Sequence, residues 1–446
     1  MNNKTFELYK KYSDANGIAC TVDPNIKMVF NDYGLYEEKL INPKLRVKQE
    51  AIDVFSHLYT KTNETLLGKK LFSHIKHIKY DKQLGYFNHL YAGYVKEGNY
   101  REIGTSGGMA TWLFSELLNR KLIDGVIHVK RNSDKHSPIL FKYDISYSIK
   151  EIKDGAKSKY YPVELSEVLK IVKQKPGKYA VIGSPSFIMS LRLLCEHEPM
   201  YKQSIKYMIG LIVGHHKSAR FAESIAWQVG IKPGDLKYID FRKPMLDKLA
   251  SQYAVQLEGY IEGQLKKIVK PMDQFIDQDW GGGYFKALAS DYLDDVFNET
   301  ADITLGDAWL DAYDKDPMGT NVIITRNETI DQIIKEAKLN DRIYVEKLTV
   351  NQVRATQKSH YRHTHDELAY RLDKLKKSHQ WYPKKRVVPS NDISDFRRKV
   401  QDFREIIRNE SHTYYLKARK ANDLNIYINQ MLKRKLQYEK LYKLKK

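Results

Sequence analysis

The sequence predicts an α/β fold with α+β elements: a core of parallel strands, an antiparallel sub-region after it, and helices at the C-terminus. Three observations carry this prediction. From residue 100 to about 240, helical apolar spacing alternates with short buried-looking runs, the pattern of strands wound with helices. Three of the strand-to-helix turns in that stretch carry Gly with Ser, Thr or Lys, and such turns gather at the carboxyl ends of parallel strands. Beyond Asp392 only helical spacing remains, with Phe396, Val400, Phe403 and Ile407, then Leu424, Ile428 and Leu432.

Residues 1–45 are polar, with Met28-Val29-Phe30 as a short strand before the Asn31–Gly34 turn. Residues 46–78 read as a helical connection. Gly85 to Val95 is a strand leading into Gly104-Thr105-Ser106-Gly107-Gly108, a tight glycine turn that opens a helix over 107–121. A strand at 125–130 follows, then a helix around 164–174 and the strand Tyr179–Ile182. The turn Gly183-Ser184-Pro185-Ser186 opens a helix with Ile188, Leu191, Leu194 and Cys195 on its apolar face. Ile205–Val213 reads as a buried strand, Gly214-His215-His216-Lys217-Ser218 as the next turn, and Ala219–Val229 as a helix. Asp240-Phe241-Arg242 and Tyr253–Leu257 read as antiparallel strands, Trp280–Phe285 as a flexible aromatic loop, and Asn321–Thr325 as a strand. Residues 328–380 mix helix and turn, and Asn391–Ser394 caps the first of two terminal helices.

At 446 residues, 42% of them hydrophobic, the chain is long enough for two or three domains with a large core. It has no run of about twenty apolar residues and no apolar signal core at Met1–Thr5, which predicts a cytoplasmic protein. The two cysteines, Cys20 and Cys195, form no metal-ligand spacing. Net charge is +20, and from Lys384 onward 18 Lys and Arg stand against seven Asp and Glu. That basic tail reads first as a solvated Lys-rich helical surface, with contact to an anionic partner or membrane surface as the alternative. Nucleic-acid binding has no supporting signature.

The Gly104–Gly108 turn is the one stretch with the chemistry of a phosphate cradle. A helix start presents unpaired N–H groups and the positive end of a dipole, two glycines admit an anion close to the backbone, and Thr105 and Ser106 add hydroxyls. A capped turn on a core helix is the ordinary alternative. The turn is neither a P-loop, nor a dinucleotide fingerprint, nor a hydrolase elbow. His215-His216 and His360, His363 and His365 are the densest histidines. On a polar basic stretch they read as solvated or hydrogen-bonded, and no metal site is expected.

Four segments resemble, in order, the coenzyme F-420 hydrogenase/dehydrogenase β-subunit family of flavin and iron–sulfur oxidoreductases. They are Tyr91–Tyr94 through Ser106-Gly107-Gly108 to Val126; Gly183–Ser186; Gly210–Phe221; and Ala301–Trp309 with Gly319-Thr320-Asn321 behind it. The resemblance implies FAD, its pyrophosphate near Thr105, Ser106, Gly107 and Gly108. Lys217 and Ser218 would add charge and a donor, and the Ser184-Pro185 turn would border the flavin. Asp307 would hold a ribityl or substrate hydroxyl, with turn capping as its plain alternative. Trp280 and Tyr284 would cover flavin or substrate, and Arg362 and His363 would meet an anion. No catalytic residue is identified.

The departures from the family pattern matter as much. Where four cysteines precede a proline in the family, this chain has Ser13, Asn16, Ala19 and Asp23 ahead of Pro24. Ser290 and Leu293 replace a later pair, and Ser186 and Val213 stand where cysteine is common. Iron–sulfur clusters need thiolate ligands, so no cluster of the family type is expected. The reading is a cytoplasmic, FAD-dependent oxidoreductase-like protein without clusters, working with a redox partner or small-molecule substrate. A related branch, similar to proteins encoded with surface-polysaccharide genes, makes a sugar or polysaccharide precursor the candidate substrate. The alternative is a non-redox transferase or binding subunit on the same fold. Four segments follow: 1–80, a degenerate ferredoxin-like N-terminus; 81–240, the α/β core with the FAD phosphate site; 241–385, the C-terminal family domain; and 386–446, the basic helical tail. Ser106→Ala or Gly107→Val is expected to weaken flavin retention without unfolding the domain.

Overall fold

The computed structural model describes residues 3–134 and 137–443, so Met1, Asn2 and the last three residues of the basic tail lie outside the described residues. An eight-stranded sheet organises the chain. Its strands, β1 to β8 in chain order, are His89–Val95, Gly125–Arg131, Phe141–Ser146, Tyr179–Gly183, Ile205–Leu211, Ile303–Asp307, Asn321–Thr325 and Ile343–Lys347, arranged as β8-β1-β7-β6-β5-β4-β2-β3. The run β6, β5, β4, β2 is parallel, while β7, β1 and β8 at one side and β3 at the other pair antiparallel. The core is therefore mixed, with four parallel strands at its centre.

Helices cover both faces because successive strand residues point to opposite sides. Val126, Ala180 and Ile209 pack under the Met109–Asn119 helix (α1) and the Glu328–Leu339 helix. Their neighbours Ile127, Val181 and Met208 pack against the Ser166–Gln174 helix (α2) and the Pro185–His197 helix (α3). This two-sided burial explains the unbroken apolar run Val322-Ile323-Ile324 of β7. β1 is antiparallel to β7 and β7 to β6, so β1 runs with the parallel strands. The turns after β1, β4, β5 and β6, and the start of β7, thus meet at one edge of the sheet.

A second, three-stranded antiparallel sheet holds Leu236–Pro244, Tyr253–Ile261 and Gln264–Pro271. It packs with the Ala219–Trp227 helix (α4) and with two long C-terminal helices, α8 (Asp395–Ala421) and α9 (Asn425–Lys443). α6 (Lys358–Thr364) and α7 (Asp366–Lys377) pack on the Leu288–Tyr292 turn, and α7 also packs on α8; α5 is the Glu328–Leu339 helix.

Several expectations change. Residues 205–213 form a strand only to Leu211, where the chain turns toward the edge site. The Trp280–Phe285 segment is not a flexible loop: Tyr284 and Phe285 are fully buried, and Lys217 and Lys286 form a backbone bridge beside it. The 328–380 stretch contains β8. On α9 the packed residues are Tyr427, Met431 and Tyr438, while Leu432 is 44% exposed, because the helix turns a tyrosine and methionine face toward α8.

Candidate functional site

The glycine turn is tied down by its own chain. Val95 N–H donates to Gly107 O at 2.8 Å, anchoring the turn to the end of β1. Gly107 and Gly108 have φ of +55° and +78°, and a Cβ on them would lie 2.3 Å from Asn321 Oδ1 and 2.6 Å from Tyr100 O. Both glycines are thus needed by close packing against Asn321 at the start of β7 and against Tyr100. Asn321 Oδ1 accepts a long bond, 3.3 Å, from Met109 N–H. No side chain caps α1 beyond this, so the Ala110 and Thr111 N–H groups have no side-chain acceptor in a half-buried first turn. Ser106 Oγ is buried without a hydrogen-bond partner, against Gly319. Thr105 Oγ1 accepts from Ser158 N–H at 2.7 Å. The cation beside the turn is Arg101, which lies 3.7 Å over the Tyr94 ring and donates through Nη2 to Asp316 Oδ2 and Gly319 O at 2.6 and 2.7 Å.

The other expected residues have commitments of their own. Ser184 precedes Pro185, the first residue of α3, and its Oγ lies 3.4 Å from Ser186 Oγ. Ser218 caps α4, its hydroxyl accepting from Arg220 N–H at 3.2 Å. Lys217 is buried: Nζ donates to Tyr284 O at 2.6 Å and stands 4.6 Å over the Trp280 ring. Burial pushes its pKa down to about 7. Asp307 Oδ2 accepts from Arg242 Nη1 at 2.7 Å, so one oxygen of its carboxylate is ion-paired. The Arg242 guanidinium lies between the Trp309 and Tyr253 rings, 5.4 and 5.2 Å away.

The 157–163 segment joins these groups. Ser158 meets the glycine turn, and the Tyr160 ring sits 4.7 Å from Trp280, which covers Lys217 and stacks on His215 at 4.4 Å. The turn, Asp307 and the Lys217 loop therefore border one region at the sheet edge. Arg101, Tyr160 and Arg242 were missed by sequence reasoning, and only long-range contacts reveal them.

Lys217 makes a titration prediction. Its folded pKa lies below that of an unfolded lysine, so the unfolded state binds more protons between about pH 7 and pH 10, and stability rises with pH across that window. Lys217→Met should remove up to about 1.4 kcal/mol of that rise per pH unit. Urea midpoints measured from pH 7 to 10 check this; a parallel pH profile in the variant contradicts it.

Of the positions lacking the family cysteines, Ser13, Asn16, Asp23 and Ser290 bond to neighbouring groups, while Ala19, Leu293 and Val213 are apolar. Ser13 Oγ donates to Glu38 Oε1 at 2.7 Å, Asn16 Nδ2 to Asp14 Oδ1 and Ser190 Oγ at 3.1 and 3.0 Å, and Asp23 accepts from Asn25 and Lys48 N–H, both at 2.9 Å. Ser290 Oγ accepts from His216 N–H at 2.9 Å. Burial pushes the Cys20 thiol up strongly and Cys195 to about 11, so both stay protonated. Of the two expected states, solvated or hydrogen-bonded, His365 takes the second, its Nδ1 lying 3.0 Å from Thr364 Oγ1 and 3.2 Å from Tyr361 O. His215 and His363 are held well below the usual imidazole range by burial and neighbouring cations, and His360 falls to about 4. Among the described residues no group of three or more His, Cys, Asp or Glu is placed to hold a metal ion.

Two family models match the chain, both describing the beta subunit of coenzyme F420 hydrogenase/dehydrogenase. The model of its N-terminal part matches residues 90–170, and the model of its C-terminal part matches residues 177–351. No curated protein matches the sequence. Among solved structures, a chain of the F420-reducing NiFe hydrogenase complex from Methanosarcina barkeri is similar at 15% identity and a TM-score of 0.49, covering 67% of this chain and 96% of that one. Two adjoining family matches, in order and together spanning more than half of the sequence, show that the chain belongs to the coenzyme F420 hydrogenase/dehydrogenase β-subunit family.

Proposed function

We propose that this protein is an FAD-dependent oxidoreductase of its family that works without iron–sulfur clusters, with the FAD pyrophosphate at the start of α1. One observation carries the reading most: the buried, unpartnered Ser106 Oγ beside an uncapped helix start. Two phosphates want N–H donors, a hydroxyl and a nearby cation. Ala110, Thr111 and Ser106 are the residues that would hold them, with Arg101, itself tied to Asp316 and Gly319, as the neighbouring positive charge. Lys217 and Ser218 serve the floor of the region instead, since their polar atoms are already bonded within the chain.

Bound FAD would supply hydride or electron transfer; the protein supplies position and electrostatics. Tyr160 and Trp280 wall the region on the Lys217 side, and the Arg242–Asp307 pair closes it with a fixed, neutralised polar edge. Without cluster cysteines, direct two-electron exchange with a reduced nicotinamide or deazaflavin donor fits better than a one-electron relay. The acceptor class is a sugar or polysaccharide precursor, or a redox partner. In this reading 81–240 carries the flavin, 241–385 completes the family domain, and 1–80 and 386–446 surround them in a cytoplasmic protein. No helix among the described residues is long and apolar enough to cross a membrane. A non-redox transferase or binding subunit is the second reading, favoured by Ser13, Asn16 and Ser290, which stand at cysteine positions of the family and are engaged in hydrogen bonds within the chain.

Ser106→Ala should weaken FAD retention roughly tenfold, the worth of one hydrogen bond to a charged group, with an unchanged urea midpoint. Equal retention in the variant would argue against the placement.

A further inference from the structure

Buried charge is unbalanced where α6, α7 and α8 cover the 284–292 segment. Lys286 Nζ and Arg408 Nη1 both hold the Asp291 carboxylate, one on each oxygen. Arg371 lies beside them and bonds only neutral acceptors: Asp291 O at 2.9 Å, Gln401 Oε1 at 2.8 Å and His363 O at 2.6 Å. All four residues are buried, so three cations face one interior carboxylate. The other carboxylates nearby do not redress this. Glu367 is already shared by Arg362, Arg397 and Arg404, and Glu405, 3.7 Å from Arg408, is half exposed. Lys217, which faces Asp277, adds a further base on the His215 side.

Unsatisfied polar atoms gather around the same excess. His215 Nε2, His363 Nε2 and Gln401 Nε2 are buried without hydrogen-bond partners. His215 is 8% exposed and Gln401 5%. His363 Nε2 stands 3.6 Å from Asp291 Oδ1, too far for a bond, and its Nδ1 lies 3.5 Å from both Arg371 Nη1 and Glu367 Oε2. These atoms come from three separate elements: the loop before α4, α6 and α8. Leaving such groups unpaired is unfavourable, as is an uncompensated buried cation. One occupant relieves both: a small anion. A cleft of about 470 Å³ lined by Asp279, Arg404, Tyr438, Glu439, Tyr442 and Lys443 lies alongside, and Arg404 and Glu367 lead from it to His363.

We propose that this buried cluster binds a small, multiply charged oxyanion of the phosphoryl class reaching it from the neighbouring cleft, with Lys286 and Arg371 supplying charge and His215, His363 and Gln401 supplying N–H donors. Asp291 aims two of the cations and limits the site to a ligand carrying more than one negative charge. The cluster does not depend on the flavin reading. Binding reverses the effect of burial on its bases: Lys286 sits at about 8 and both histidines far below their usual range, so an entering oxyanion draws protons onto them.

The test uses the full chain and inorganic phosphate, with ionic strength held constant by chloride. A saturable rise in melting temperature is expected. Calorimetry near pH 8 in two buffers of different ionisation enthalpy should show net proton uptake. Gln401→Glu places a resident carboxylate beside Arg371. It should raise the melting temperature of the phosphate-free protein and weaken phosphate binding roughly tenfold or more. Methyl phosphate distinguishes the sources: a preference for inorganic phosphate marks a free ion, a preference for the ester marks a phosphoryl group carried on a larger ligand, and either supports the site. The proposal is overturned if phosphate stabilises no more than chloride, if no protons are taken up, or if a folded Gln401→Glu protein binds phosphate as tightly as the wild type. The wild-type titration stands alone should that variant fail to fold.

Discussion

Replacing Gly107 by valine destabilises the protein by about 3 kcal/mol or more, whatever ligand is present. The left-handed φ of +55° is one source, since a β-branched residue avoids that region. The other is Asn321. A Cβ at position 107 would sit 2.3 Å from its Oδ1 and 3.0 Å from its backbone nitrogen. The side-chain atom could swing away, at the cost of its bonds to Met109 N–H and Gly306 O, but the β7 backbone could not. The sequence alone predicts a variant that loses flavin and keeps its fold; the geometry corrects this. Urea unfolding checks it: a clearly lowered midpoint is expected, and a wild-type midpoint with lost flavin would restore the simpler view. Ser106→Ala, which removes only an unpartnered hydroxyl, is the cleaner probe.

Arg326→Leu costs more, about 3–5 kcal/mol. This arginine is 0% exposed, and its guanidinium nitrogens are all directed at acceptors. Nε donates to Tyr86 O at 2.7 Å, Nη1 to Ala301 O and Thr304 Oγ1 at 3.2 and 2.8 Å, and Nη2 to Leu84 O and Phe297 O, both at 3.1 Å. It thereby clamps the 84–87 segment, the 297–304 loop and the end of β7 together. It also lies beside the buried Asp295 and Glu299, which repel each other and which Arg386 serves from the other side. Leucine would take a donor from four carbonyls and one of two cations from that carboxylate pair. Arg326→Lys keeps the charge but not the planar fork, so it should recover less than half of the loss. Chemical denaturation of the three proteins checks the order wild type, lysine, leucine; a lysine variant as stable as wild type would show that charge alone matters.

What the sequence makes legible follows from how local each signal is. α1, β7 and the terminal helices declare themselves through apolar spacing within a single element. The Gln264–Pro271 strand does not: it is an exposed, Lys-rich edge strand, and only pairing with Tyr253–Ile261 defines it. β8 was hidden by its helical surroundings, although Ile343 and Val345 alternate with exposed Tyr344 as an edge strand should. The candidate site divides the same way. The Gly104–Gly108 turn could be named from its residues, but its glycines answer to Tyr100 and Asn321, and Asn321 is more than 200 positions away. Lys217 could be singled out from its motif, yet whether its side chain turns toward a ligand or under Trp280 depends on the distant 280–286 segment. Arg242 meets Asp307 across 65 residues, a pairing with no local signature.

The central claim is that the helix start after Gly108 anchors FAD in a protein without clusters. Incubating the purified full chain with FAD, removing free cofactor and recording the visible spectrum together with total iron tests it most directly. The account predicts a flavin band near about 450 nm, close to one FAD per chain, negligible iron, and weaker retention in Ser106→Ala. A colourless wild-type protein that takes up no FAD would contradict it.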